Sequence, residues 1–107
     1  MPRSSSLTNA ELRRMRPGRK VHGRFFMLTR SPLFPPRPKC AVVVSKKVAV
    51  KAVKRNRIKR QGRSILATLL SELGSGAHVF TAKREAASAS FAQMEADIRE
   101  LVRKGNS

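Results

Sequence analysis

The residues best suited to chemistry in this 107-residue chain form a run of cations, KRNRIKRQGR, at positions 54–63. Six of these ten side chains are Lys or Arg, and no acid stands among them. An arginine side chain can donate two hydrogen bonds to one phosphate, and its plane can stack on a base. The run therefore predicts binding to a phosphate backbone, and the stacking favours structured RNA or single strands.

The positive charge of the whole chain is concentrated around this run. The formal net charge is +18, from 24 basic and six acidic residues. Residues 12–71 hold 18 of the basic residues and no acid, so the six remaining basic residues balance the six acids. Repulsion within such a window opposes a compact state, and solubility alone does not require it. A polyanionic partner explains this distribution better than a solvated charged face.

Side chains that usually carry catalysis or hold metals are few and scattered. Cys40 is the only cysteine, and His22 and His78 lie far apart in the chain without carboxylates at ligand spacing. The sequence contains no convincing Gly-rich phosphate loop, nucleophile elbow or carboxylate pair. We therefore expect no catalytic residue and no metal site, and a structural role for these three side chains.

The sequence also bears on the cellular compartment. It contains no run of 18 apolar residues, and its start lacks the apolar segment of a secretory signal. A basic, Ser-containing start can resemble an organelle transit peptide, but Glu11 and an early helix-capping signal argue against one. We expect a cytoplasmic protein that binds no membrane.

Three apolar runs predict the strands that position the basic residues. They lie at 22–29, 39–45 and 78–82. The second run is apolar on both faces, which predicts a central place in the sheet. Prolines in SPLFPPRP break the chain between the first two runs, and GSGA precedes the third.

Capping signals predict a helix near each end of the chain. Thr8 and Glu11 fit a capping box for a short helix over about 9–15, and Pro17-Gly18 stops it. Ser90 and Gln93 fit a second box before an amphipathic helix over 91–104. Gly105 follows it at the C-cap position.

The basic run itself is predicted to be a helix between the second and third strands. An apolar stripe at helical spacing accounts for this: Ile58, Ile65, Leu69 and Leu73, with Gly62 and Leu66 beside it. At about 100° per residue, Arg57 and Arg60 point nearly opposite the stripe. Residues 46–51 do not share the stripe, so they are predicted to connect the second strand to the helix.

The stretch VSKK at 44–47, followed by RNRIKR at 55–60, resembles the protein subunit of bacterial ribonuclease P. The order of elements also fits that family from about residue 8 to 104. The resemblance implies an α+β fold, a small two-layer sandwich in the order α-β-β-α-β-α, with a left-handed β-α-β crossover. The length of the chain predicts a single domain over 1–107. With the basic run and the resemblance, we expect this domain to bind RNA, and we expect its ends at 1–7 and 105–107 to be flexible.

The resemblance also implies a function for the basic helix. The catalytic RNA subunit, with magnesium, would hydrolyse precursor tRNA to release its 5′ leader, and the protein would be the non-catalytic component of this endoribonuclease. It would bind the RNA subunit and precursor tRNA, not DNA, and would itself hold no cofactor. The residues that would contact the RNA subunit are Lys46, Lys47, Arg55, Asn56, Arg57, Lys59, Arg60 and Arg63.

In the family, the leader lies in a cleft between the central sheet and the first helix, away from the basic helix. Strand alternation, counted from Gly18, gives the leader-contacting set expected here: Phe25, Met27, Thr29, Val43 and Ser45. The same alternation leaves Cys40, Val42 and Val44 for the core. A shifted register, with Phe25 in the core and Phe26 in the cleft, remains open because one glycine fixes the count.

Several positions depart from the family pattern. The first helix usually carries phenylalanines where this chain has Glu11 and Met15. The usual Gly-Asn of the crossover is Ala49-Val50 here, and an aromatic residue common at the end of the first strand is Thr29. These departures concern the leader contact and leave the RNA-subunit motif intact.

Two other classes of protein share features of this chain. A small ribosomal protein has similar size and basicity but normally carries long disordered tails. A nucleoid protein has similar charge but needs a dimerisation surface. Preference for one folded RNA over duplex DNA separates the ribonuclease P hypothesis from the nucleoid one.

Overall fold

The computed structural model describes residues 5–16, 18–31 and 36–105. Within them lie three α-helices and four strands: α1 Asn9–Arg14, β1 Lys20–His22, β2 Phe26–Ser31, β3 Lys39–Val43, α2 Ala52–Ala67, β4 Ala77–Ala82 and α3 Phe91–Gly105. Two 3-10 helices, Leu70–Glu72 and Arg84–Ser88, follow α2 and β4. The α+β class is confirmed, with one strand more than the sequence predicts.

The four strands form one sheet in the order β1-β2-β4-β3. Strands β1, β2 and β4 are antiparallel neighbours, whereas β3 and β4 are parallel and joined by α2. The crossover is therefore present, and its left-handedness stays a prediction. The interior strands are β2 and β4, so the prediction that the second apolar run is central was wrong. That run is β3, at the edge.

The apolar residues of β3 are compatible with its edge position because another segment pairs with that edge. Ser6 forms a parallel bridge with Cys40, and the Leu7 N–H donates to the Cys40 carbonyl at 3.0 Å. The N-terminal segment thus covers part of this edge. An edge strand covered in this way can carry apolar residues that an open edge would not tolerate.

The predicted strand at 22–29 is two strands joined by a turn. The Asp97 carboxylate on α3 accepts the backbone N–H groups of residues 24, 25 and 26 at 2.8, 2.9 and 3.0 Å. These contacts hold the turn between β1 and β2. A Cβ at Gly23 would lie 2.6 Å from the Asp97 Oδ1 atom, so only glycine allows this approach.

Helices α2 and α3 pack on one face of the sheet and enclose the core. The apolar stripe predicted for the basic helix is confirmed, because Ile58, Ile65, Leu69 and Leu73 are all buried. The last two lie beyond Ala67, where α2 ends. A Cβ at Gly62 would lie 3.1 Å from a Val42 methyl, so α2 runs close over β3.

Both predicted capping boxes are present. Thr8 and Glu11 exchange the two capping hydrogen bonds at 3.0 and 3.1 Å, and Ser90 and Gln93 do the same at 2.9 and 3.1 Å. Helix α1 ends at Arg14. The predicted stop at Pro17 and the predicted flexible ends at 1–4 and 106–107 lie outside the described residues.

The two chain ends within the described residues make contacts of their own. Residues 6 and 7 pair with Cys40, as above, although 1–7 was predicted to be flexible. Gly105, predicted to follow α3 as its C-cap, is the last residue of that helix. Its carbonyl accepts a hydrogen bond from the Arg30 guanidinium.

Candidate nucleic-acid interface

The solvent-facing side of α2 presents the central cations of the basic run. Arg57 and Arg60 are exposed, whereas Ile58 and Ile65 on the opposite side are buried against the sheet. Neither arginine forms a hydrogen bond or ion pair with the described part of the chain. The orientation predicted from helical spacing is therefore confirmed, and both guanidinium groups are available to phosphate oxygens.

A shallow depression lies beside these arginines along α2. Its lining consists of Asn56, Lys59, Arg60, Arg63, Ser64 and Ala67. Lys59 and Arg63 also border a second hollow, whose floor includes Ala41 and Val43 and whose far wall is the N-terminal segment. These two cations therefore lie between the exposed face of α2 and the edge strand β3.

The connection from β3 to α2 carries Lys46 and Lys47, both exposed. Arg55 does not extend into solvent like its neighbours. Its guanidinium donates to the carbonyl oxygens of Ala49 and Val50 at 2.9 and 2.6 Å, and the residue is half-buried. Arg55 thus braces the connection from within, a role that the sequence reasoning missed.

Three of the six acids form ion pairs away from α2. Glu11 pairs with Lys39 at 2.9 Å, and this hydrogen bond, with the Thr8 cap, holds the pKa of Glu11 below its ordinary value. On α3, Glu95 and Glu100 pair with Arg99, Arg103 and Lys104.

Within α2 itself, no acid lies in the first turn, and the N-cap residue is Lys51, which makes no side-chain capping bond. The free N–H groups of the first turn add to the positive potential there. Because Ala52–Ala67 contains no acid, the cationic surface of α2 is not compensated from within the helix.

The sheet face away from α2 and α3, here called the open face, is a second surface. Strand register places Met27, Thr81 and Val43 side by side across β2, β4 and β3. His22 extends this row on β1, opposite Met27. Val43 is 38% exposed, and Thr81 is half-buried.

Of the predicted leader-contacting residues, Met27, Thr29 and Val43 share the open face. Thr29 is only 8% exposed, so the accessible members are Met27 and Val43. Ser45 is exposed beyond the end of β3, and its carbonyl accepts the Val48 N–H at 3.1 Å.

Phe25 is not on the open face, so its predicted position was wrong. It precedes β2, lies in the turn held by Asp97, and is only 6% exposed within the core. The Arg24 guanidinium lies 5.0 Å from the centre of its ring. The alternative register is half right: Phe25 is in the core, but Phe26 is fully buried as well.

Two residues of the open-face row were missed by sequence reasoning. His22 was hidden because β1 was not recognised as a separate strand. Thr81 could have been found, since alternation along β4 places it opposite the buried Phe80 and Ala82.

The cysteine and the buried histidine have no catalytic geometry. Burial raises the pKa of the Cys40 thiol to about 11, which keeps it protonated and unreactive. Burial also lowers the pKa of His78, whose Nε2 lies 2.7 Å from the Gly74 carbonyl oxygen. Across residues 5–16, 18–31 and 36–105, no group of three or more His, Cys, Asp or Glu could hold a metal ion.

None of the helices in the described part of the chain has both the length and the apolar character needed to span a bilayer.

Comparisons with known proteins agree with this architecture. A protein-family model described as Ribonuclease P matches residues 1–106. The Ribonuclease P protein component of Thermus aquaticus is 40% identical over 91 residues, which are 85% of this chain and 53% of that protein. The corresponding protein of Xanthomonas euvesicatoria is 44% identical over 69 residues, 64% of this chain and 48% of that one. The chain spans about half the length of these curated relatives.

Solved structures share the fold. The RNase P protein of Staphylococcus aureus superposes with a TM-score of 0.80 at 23% identity, covering 92% of both chains. The RNase P protein of Thermotoga maritima superposes with a TM-score of 0.72 at 18% identity, covering 81% of this chain and 83% of that one. Because the family model covers nearly the whole chain, this chain belongs to the ribonuclease P protein family.

Proposed function

We propose that this chain is the RNA-binding protein component of a ribonuclease P ribonucleoprotein, whose RNA subunit removes the 5′ leader from precursor tRNA. The observation that carries the proposal is the uncompensated cationic face of α2, in a chain that belongs to this family. The RNA subunit would perform the hydrolysis with magnesium, and the protein would supply no catalytic group. The complex would act in the cytoplasm, with no membrane or DNA partner.

The two surfaces would bind different RNA segments. The face of α2 with the connection before it would bind the RNA subunit, using Lys46, Lys47, Asn56, Arg57, Lys59, Arg60 and Arg63 around the brace made by Arg55. The open face would contact the leader through Met27 and Val43, with Thr29 below them and Ser45 at the strand end. His22, in register with Met27, offers this face a ring for base stacking.

Reconstitution tests this function. The purified protein alone should not cut precursor tRNA at any magnesium concentration, because the sequence shows no convincing catalytic motif and the described residues hold no cluster of three or more His, Cys, Asp or Glu for a metal ion. Adding the RNA subunit should give cleavage at a magnesium concentration where the RNA alone is inactive, since the protein screens phosphate repulsion. The measurement is release of the 5′ leader on a gel. Robust cleavage by RNA-free protein would contradict the proposal.

A second prediction concerns the salt dependence of binding. Replacing both Arg57 and Arg60 with Ala should reduce the slope of log Kd against log salt by about 1.4–1.8, because each lost phosphate contact removes roughly 0.7–0.9. Circular dichroism should not change, since both side chains are exposed. Kd for the RNA subunit, measured by filter binding across a salt series, gives the slope.

The matched control removes two arginines from α3. Arg99 and Arg103 are exposed and paired with acids on their own helix, so replacing both with Ala should leave the slope unchanged. An equal loss of slope in both double variants would assign the binding to net charge rather than to α2. Equal affinity of the wild type for duplex DNA would favour the nucleoid hypothesis.

A further inference from the structure

Two valines interrupt the basic surface that begins at the β3–α2 connection. Val50 is 84% exposed and Val53 is 81% exposed, far more than Val43 and Phe91, the other exposed large apolar residues of the described chain. A single exposed valine needs no explanation. Two of them lie three residues apart in the chain, on either side of the N-cap Lys51 of the most strongly charged helix, and are here together called the valine patch.

The position of Val53 on α2 places it among the binding arginines. Arg57 and Arg60 follow it by four and seven residues, so they lie within about 40° and 20° of it around the helix axis. Side chains four residues apart on a helix are neighbours, with about 5–6 Å between their Cβ atoms. Because side chains on a helix lean toward its N-terminus, a partner that contacts Arg57 would lie next to Val53.

The backbone around Val50 is held in place. The Arg55 guanidinium binds the carbonyl oxygens of Ala49 and Val50, and Ala49 is buried at 6% exposure. The preceding turn is closed by hydrogen bonds from the Val48 and Ala49 N–H groups to the Ser45 carbonyl at 3.1 and 3.4 Å. A surface that is ordered before binding loses less conformational entropy when the partner arrives.

The charges around the valine patch decide what can cover it. Four exposed lysines surround the patch in sequence: Lys46, Lys47, Lys51 and Lys54. A second copy of this chain, with a net charge of +18, would be repelled if the two patches met. The complementary partner is an anion with apolar surface next to its charges, as in RNA, where bases and riboses lie beside phosphates.

We propose that Val50 and Val53 contact base or ribose surface of the RNA subunit beside the phosphates held by Arg57 and Arg60. This inference rests on the function proposed above. The apolar contact of the two valines would contribute a part of the binding affinity that does not depend on salt. Phosphate contacts carry no sequence information, whereas contact with unpaired bases requires a folded RNA that exposes them. The valine patch thus favours a structured RNA over a regular duplex.

The test replaces both valines and measures affinity for the RNA subunit across a salt series. The V50S/V53S double variant should bind about tenfold more weakly at every salt concentration, with an unchanged slope, because lost apolar burial releases no counterions. The R57A/R60A double variant should instead change the slope. The Phe91→Ser variant is the matched control, since it removes an exposed apolar side chain on α3 and should bind as the wild type does.

A second variant separates binding from folding. V50T/V53T keeps the β-branched shape while adding a hydroxyl to each side chain, and it should lose affinity without a change in circular dichroism or melting temperature. Affinity equal to the wild type in both valine variants would overturn the proposal, and so would a loss confined to low salt. If the wild type dimerises and both valine variants do not, while the variants bind the RNA subunit as tightly as the wild type, the valine patch would instead be a self-association surface. If the wild type itself fails to bind the RNA subunit, the proposed function falls together with this inference.

Discussion

Replacing Asp97 with Ala is expected to lower the free energy of unfolding by about 3–6 kcal/mol, because it removes two partly buried hydrogen bonds to a charged group, which contribute about 1.5–3 kcal/mol each. The carboxylate accepts three backbone N–H groups from the β1–β2 turn. In the variant those donors have no acceptor, and the two on Phe25 and Phe26 are partly buried. The total stability of a domain this size is about 5–15 kcal/mol, so the loss should be obvious in urea unfolding.

Glu95 provides the matched control on the same helix. Its carboxylate lies 3.9 Å from the Arg99 guanidinium at the surface, so Glu95→Ala should change stability by less than about 0.5 kcal/mol. Asp97→Asn should lose most of what Asp97→Ala loses, because the amide replaces one acceptor oxygen with a donor that faces backbone N–H groups. Equal stability of Asp97→Ala and Glu95→Ala would show that the turn does not depend on this carboxylate.

Gly23 gives an independent check on the same contact. A Cβ there would lie 2.6 Å from Asp97 Oδ1, so Gly23→Ala should destabilise the wild type by displacing the carboxylate. In the Asp97→Ala background the same change should cost much less, because the colliding group is gone. Such non-additivity is the signature of two residues in direct contact.

This turn shows why part of the fold could not be predicted from the sequence. The run HGRFFMLT has the composition of a single strand, and the residue that makes it a turn is Asp97, more than 70 positions later. The helices were predictable because their apolar spacing and capping boxes are local signals. The edge position of β3 was hidden for the same reason as the turn, since the N-terminal segment that covers it is distant in the chain.

On each of the two candidate surfaces, some residue positions follow from local sequence spacing and others do not. The outward direction of Arg57 and Arg60 follows from helical spacing relative to Ile58, so the sequence predicts it. The brace made by Arg55 depends on how the connection before α2 folds back, which spacing does not encode. On the open face, alternation predicts Met27 and Val43 correctly but fails at Phe25, where the strand has not yet begun.

The position of Phe25 leads to the second large effect. Phe25→Ala should lower the free energy of unfolding by about 3–5 kcal/mol, the usual result of truncating a buried phenylalanine. The folded fraction of this variant should still distinguish precursor tRNA from mature tRNA as the wild type does, because the ring packs toward α3 and away from the open face. Urea unfolding gives the stability, and holoenzyme Kd values for the two tRNA forms give the discrimination.

His22→Ala should behave in the opposite way and serves as the comparison. His22 is exposed on β1 and in register with Met27, so its loss should leave stability nearly unchanged. Stacking of a base on a ring contributes about 1–3 kcal/mol, so its removal should weaken precursor tRNA binding by roughly five- to 150-fold without affecting mature tRNA. Suppose that Phe25→Ala is stable but no longer distinguishes precursor from mature tRNA, while His22→Ala still does. That result would show that Phe25, and not His22, contacts the leader. The opposite result would show that the leader crosses the sheet at the row of His22, Met27, Thr81 and Val43.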